Sequence, residues 1–276
     1  MRSIVIAAAV ALASPTVTFA QTNPQGASTV SQVAPDIVKS FAPTGRLRAA
    51  INQGNSVLVQ KQADGSEPKG VTIMLAKELG KRLGVPVDLV LFNAAGEVFA
   101  ALKEGRWDIA FLAVEPVRAA EIDFTAPYVL IEGAYMVPKD SPLKTPADVD
   151  KKGIRIAVGR GSAYDLYLTR TIKNAEIVRA STGGGRASID LFLKEKLDTA
   201  AGVRQPLDEY AKTDPSVRVM EQRFMAIEQA MGTPKGRDAA AQYLKGFIEE
   251  MKKSGFVASA LKATNQPDAK VAPAAN

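Results

Sequence analysis

Gly105-Arg-Trp-Asp108-Ile-Ala-Phe-Leu-Ala113-Val-Glu115-Pro-Val-Arg118-Ala-Ala-Glu121-Ile-Asp-Phe124-Thr-Ala-Pro127-Tyr128 is the stretch on which the fold turns. Gly105 closes a helix expected over residues 97–104. Asp108 then opens a strand, residues 108–114, that is apolar after its acidic first residue. Upstream, Val71, Leu75, Leu79 and Leu83 recur at helical spacing with charges between them, and Gly84 ends that helix. Residues 85–91 and 46–51 read as strands. A short helix over 36–41 precedes them, stopped by Pro43 and Gly45. The order is β-α-β-α-β.

Downstream the pattern restarts. Residues 155–158, 176–179 and 199–203 read as strands, with helices over 163–171 and 186–196 between them. Alternating elements imply parallel sheets covered by helices, and two such units imply two lobes. Pro138, Pro142 and Pro146 mark the connection. An apolar segment follows over 225–231, then a long helix over 234–253 with Pro234 in its first turn, a break at Gly255 and a short helix over 256–262. The tail from Gln266 reads as disordered.

Composition excludes many chemistries. The 276 residues contain no cysteine and no histidine. Disulfides, thiol nucleophiles, Cys- or His-ligated zinc and histidine-based triads are therefore out, and no metal or cofactor is expected. The net charge of +6 is spread among 29 acids, with no basic stripe interleaved with aromatics, so no nucleic-acid partner is expected. At the N-terminus a basic start precedes an unbroken apolar run from Ile4 to Ala13, then Thr18-Phe19-Ala20. This is the pattern of a secretory signal cleaved after Ala20. It is too short to span a bilayer, and without cysteine it is not a lipoprotein anchor.

Two glycine-bearing loops, Gly159-Arg-Gly161-Ser162 and Ser181-Thr-Gly-Gly184-Gly185, lie between strand ends and helix starts. Open parallel sheets bind ligands outside the carboxyl ends of their strands, and helix N-termini favour anions. No Gly-Lys-Ser/Thr follows either loop, so neither is a P-loop. Ordinary capping, with Ser162 as N-cap, is the alternative for both.

The opening stretch resembles the signature of solute-binding protein family 3, the extracytoplasmic receptors of polar amino-acid ABC importers. There a Gly-x-x-Asp strand is followed by an Arg, then by Phe-Ser/Thr-x-Pro-Tyr. Leu47–Asn52, Gly70-Val-Thr-Ile, Gly153–Ser162, Lys196-Leu-Asp198-Thr-Ala and Gly255-Phe-Val extend the similarity over about residues 43–264. The resemblance implies an α/β, two-lobed periplasmic-binding-protein (type II) fold. Its two parallel-rich sheets, flanked by helices, would be joined by two crossover strands near 132–138 and 224–231. The implied organisation is a signal peptide (1–20), a leader and short helix (21–44), a discontinuous first lobe (45–134 plus 227–264), a second lobe (138–223) and a disordered tail (265–276). Tyr135, Met136, Ala230 and Met231 would neighbour the hinge. The implied protein is a monomeric periplasmic receptor, not an enzyme. It would bind an amino acid or small organic carboxylate and deliver it to an inner-membrane ABC permease.

Site residues carry over unevenly. Arg118 stands where the family holds the ligand's α-carboxylate, and Gly161-Ser162-Ala163 matches the second-lobe loop that donates N–H groups. Gly184 belongs to the other loop. The family's hydroxyls before the Arg are replaced by Ala113 and Glu115. The acid after the opening strand is Asn52, and the usual aromatic falls near Asn55. The ammonium-binding Asp falls on Val203, with Arg204 beside it. A buried ammonium needs acceptors. The expected ligand is therefore a small organic carboxylate, or an acid with a modified amine, with Glu115 as acceptor should an amino acid bind. Two alternatives remain at this point: a dehydratase using Glu115 or Glu132 as general acid, and a receptor feeding a membrane sensor.

Overall fold

The computed structural model describes residues 33–275. The expected signal peptide, 1–20, and residues 21–32 of the expected leader lie outside them. The first described element is α1 (Pro35–Phe41). β1 (Leu47–Asn52) leads to α2 (Val71–Leu83), β2 (Val87–Phe92), α3 (Ala95–Ala100) and β3 (Ile109–Ala113). β1 lies between β2 and β3 and is parallel to both. Its Ala49, Ala50 and Ile51 are buried, as expected for a strand covered on both faces. α2 turns Val71, Leu75, Leu79 and Leu83 into the core, the stripe its sequence spacing implies. α3 is shorter than the expected 97–104, because i→i+3 bonds at Leu102 and Gly105 tighten its end into turns.

A short α4 (Pro116–Ala119) and β4 (Ile122–Phe124) lead into β5 (Val129–Pro138), which crosses to the second half. There β6 (Arg155–Val158), α5 (Ala163–Thr171), β7 (Glu176–Arg179), α6 (Ala187–Glu195) and β8 (Thr199–Val203) repeat the first pattern, β6 lying parallel between β7 and β8. α7 (Arg204–Thr213) and β9 (Val217–Val219) precede β10 (Met225–Pro234), which crosses back. β5 and β10 pair antiparallel from Val129↔Gln229 to Gly133↔Met225. β10 also pairs with β3, and β5 with β8. The two expected parallel groups are thus present, but their ladders join without a break in the order β2-β1-β3-β10-β5-β8-β6-β7.

Two expectations at the C-terminal end are corrected. Pro234 closes β10 rather than opening a helix. After a turn at Gly236 (φ 84°) the helix α8 covers Asp238–Lys253, followed by α9 (Phe256–Ala263). The polar α7, which buries Leu207, was not read from the sequence at all. The tail expected to be disordered over 265–276 instead forms β11 (Lys270–Val271), paired with Val129 and Leu130 of β5. Ala269 and Ala272 are buried beside it. The physical reason is the free edge of β5, which supplies partners the tail's own composition does not reveal.

The same device secures both halves. Asp108 accepts from the Arg48 backbone N–H (3.0 Å), and Asp198 accepts from the Arg155 backbone N–H (2.8 Å). Each acid locks the start of its half's third strand to the first. Asp108 is fully buried and also takes the guanidinium groups of Arg48 and Arg237, each at 2.9 Å. Burial pushes its carboxyl up, but Arg48 and Arg237 outweigh that and hold it below its ordinary range.

Candidate functional site

The carboxyl ends of β1 and β3 and the loops after β2, β6 and β7 converge on one cavity of about 60 Å³. Asn52, Asn55, Ser56, Ala113 and Arg118 line it from the first half. Ser162, Ala163, Tyr164, Gly184 and Gly185 line it from the second, and Val203, Ile227 and Gln229 come from the crossover region. The position follows from topology, since strand ends and helix starts point there in both halves.

Arg118 dominates the site. Pro116 opens the short α4 after β3, and this turn carries Arg118 back against the strand end. Its side chain is 1% exposed. One Nη donates to the Ala113 carbonyl (3.1 Å) and the other reaches across to the Gly161 carbonyl (2.9 Å), while Nε has no partner. Among the described residues no carboxylate forms an ion pair with it. Burial lowers its pKa to about 10, a shift partly offset by Glu115. The group is therefore still cationic at neutral pH. Both Nη atoms are thus engaged, and of the guanidinium nitrogens Nε alone is left without an acceptor.

Around it the wall is neutral or positive in character. Ser162 caps α5, its Oγ accepting from the Asp165 N–H at 3.0 Å. The first helical N–H groups, on Ala163 and Tyr164, have no intrahelical acceptor and present the positive end of the helix dipole. Asn52 Oδ1 accepts from the Gly54 N–H (3.0 Å), whereas Asn55 Oδ1 is buried without a partner. No Asp or Glu is among the lining residues.

Of the ten residues singled out from sequence, the fold brings Asn52, Asn55, Ala113, Arg118, Ser162, Ala163 and Gly184 to the cavity wall. Gly161 sits one step behind, holding Arg118 through its carbonyl. Two expectations need correction. Glu115, buried at 3% exposure, does not line the cavity, because Arg170 of α5 pairs with it across the two halves. Arg204 turns away to Glu132 (2.8 Å) and to the Met220 and Glu221 carbonyls (3.0 and 2.8 Å). Gln229 was missed. It stands beside Glu228 in the 225–231 segment, and that polar pair inside an apolar run was the signal available.

The halves meet along backbone. A Cβ on Gly183 would lie 2.4 Å from the Ala94 Cβ, and one on Gly185 would lie 2.7 Å from the Gly54 carbonyl oxygen. Only glycine permits such an approach. Together with the Arg118–Gly161 bond and the Glu115–Arg170 pair, this seam describes a closed cleft.

Fold and cleft define a two-lobed binding protein of the type II periplasmic class, with a buried cation at the closing surface. Residues 47–263 match the family model for bacterial extracellular solute-binding proteins, family 3, and the chain belongs to that family. The L-cystine-binding protein TcyJ of Escherichia coli strain K12 is 25% identical over 248 residues, 83% of this chain and 90% of that one. A solute receptor for L-cysteine from Neisseria gonorrhoeae superposes with a TM-score of 0.71 at 23% identity, covering 83% of this chain and 94% of that one. The ancestral amino-acid-binding protein AncCDT-1, described as a precursor of cyclohexadienyl dehydratase, gives 0.68 at 22%, covering 82% and 97%. Among the described residues no helix is long and apolar enough to cross a membrane.

Proposed function

We propose that this protein is the periplasmic receptor of an ABC importer and binds an amino acid or small organic carboxylate in the cleft. The observation that carries the reading is Arg118: a buried, charged guanidinium in the cavity wall with no carboxylate partner among the described residues. Such a charge is costly unless something compensates it, and a ligand carboxylate matches the fork. The amino-acid ligands named for the relatives support the same class.

In this mechanism the moving bodies are 45–134 with 227–264, and 138–223. Solute enters the open cleft and Arg118 takes its carboxylate. The second lobe then brings the α5 N-terminus and the glycine loop over it. Closure follows only if the ligand binds the closed form better than the open one. Glu115–Arg170 and the Arg118–Gly161 bond latch the closed form, which docks on the permease. A dehydratase-like step finds no support in the cavity: Glu115 and Glu132 are both engaged by arginines and neither lines it.

Thermal unfolding against a panel of amino acids and small carboxylates tests the reading. Ligand at 100 times its Kd adds about 2.7 kcal/mol, a Tm rise of roughly 5–10 °C for a chain of this size. No rise with any member of the panel contradicts it.

A further inference from the structure

Charge balance inside the closed cavity narrows the ligand class. Arg118 is the one ionised side chain among the lining residues, and the first N–H groups of α5, on Ala163 and Tyr164, add positive character. The nearby acids are committed elsewhere. Glu115 is paired with Arg170, and Asp165 with Arg179 (2.9 Å) and the Gly161 N–H (2.8 Å). A ligand carrying a single carboxylate brings the enclosed charge to zero. A free α-amino acid brings an ammonium as well and leaves the enclosure at +1. No acid in the wall meets that ammonium, and the penalty for burying it unpaired is large.

The remaining polar wall is neutral. Asn55 Oδ1 is buried and lacks a donor, and Ser56 and Gln229 are among the lining residues. These groups pair with a hydroxyl or an amide N–H at no charge cost. Val203, the N-cap residue of α7, is an apolar member of the wall.

We infer that the cleft selects a small monocarboxylate whose second polar group is uncharged, the 2-hydroxy acids being the simplest form, over the matching free amino acid. This rests on the carboxylate-receptor reading above. Isothermal titration of the full chain with the pairs lactate and alanine, and glycerate and serine, tests it. The expected result is at least tenfold tighter binding of the hydroxy acid in one pair or both. Val203→Asp adds a carboxylate to the wall at a position where Asp is a favoured N-cap, so the variant is expected to fold and to reverse the preference. Tighter binding of the amino acid by the unaltered protein overturns the inference and leaves the receptor reading standing. Absence of binding by either class, with the broader panel also silent, removes the receptor reading and the inference with it.

Discussion

At the amino end of β3, Asp108 accepts from Arg48 and Arg237. Beyond the carboxyl end of the same strand, Arg118 forms no ion pair among the described residues, and its Nε has no partner. The first arrangement is structural and satisfied, whereas the second is the one proposed to meet a ligand. Asp108→Asn keeps the shape but strands two guanidinium groups, and breaking a buried pair costs about 3–5 kcal/mol. Urea denaturation at pH 7 should show that loss. The pH dependence has a definite sign. The folded carboxyl titrates below its ordinary value, so its stabilisation is complete above the unfolded pKa of about 4. It is lost as pH falls through the folded value, and the gap between wild type and variant should shrink on acidification. An unchanged midpoint at pH 7 would contradict this role. Both residues were legible in sequence because each sits in a short motif. The partner of Glu115 was not, since Arg170 lies 55 positions away and only closure brings them together.

Among the elements, strands and helices with strong periodicity were readable. Those shaped by tertiary pairing were not. α2 declared itself by its apolar stripe, while α7 buries too little to do so. β11 exists because β5 offers an edge, which no local pattern encodes. The two parallel halves also end their second helices differently. Gly105 takes the left-handed turn before Asp108 at φ 62°, whereas Lys196 takes the one before Asp198 at φ 47°. A residue with a Cβ is strained there, so Lys196→Gly should raise stability by about 0.5–1 kcal/mol, read as a higher Tm. A lower Tm would mean the Lys196 side chain contributes more than the strain costs. The glycine seam is the other element-level device. Gly183→Ala sets a methyl against Ala94 only when the cleft is closed. The same methyl also comes within 3.1 Å of the Arg160 carbonyl oxygen in its own half, so the unliganded Tm should fall slightly, while affinity should fall by about tenfold or more if the closed form carries the binding. Unaltered affinity would show that the seam is not part of the bound state.

Among the described residues, two halves of like topology share a continuous sheet through β5 and β10, and the candidate cavity sits where that sheet passes between them. Gly133 is the register point, paired to Met225 on one side and Val203 on the other. In the proposed mechanism, rotation of one half against the other opens the cavity and leaves both parallel groups intact. The sequence resemblance was enough for this architecture. It did not reveal which polar groups end up facing the enclosure, because that depends on the closed approach of loops far apart in the chain. In the proposed mechanism Arg118 is the group that holds the ligand carboxylate. Calorimetric titration of wild type and Arg118→Ala with the same carboxylate tests this most directly. Losing a desolvated, charge-paired contact costs about 2–5 kcal/mol, so affinity should fall by at least roughly thirtyfold. Equal affinity in the two proteins would contradict the account.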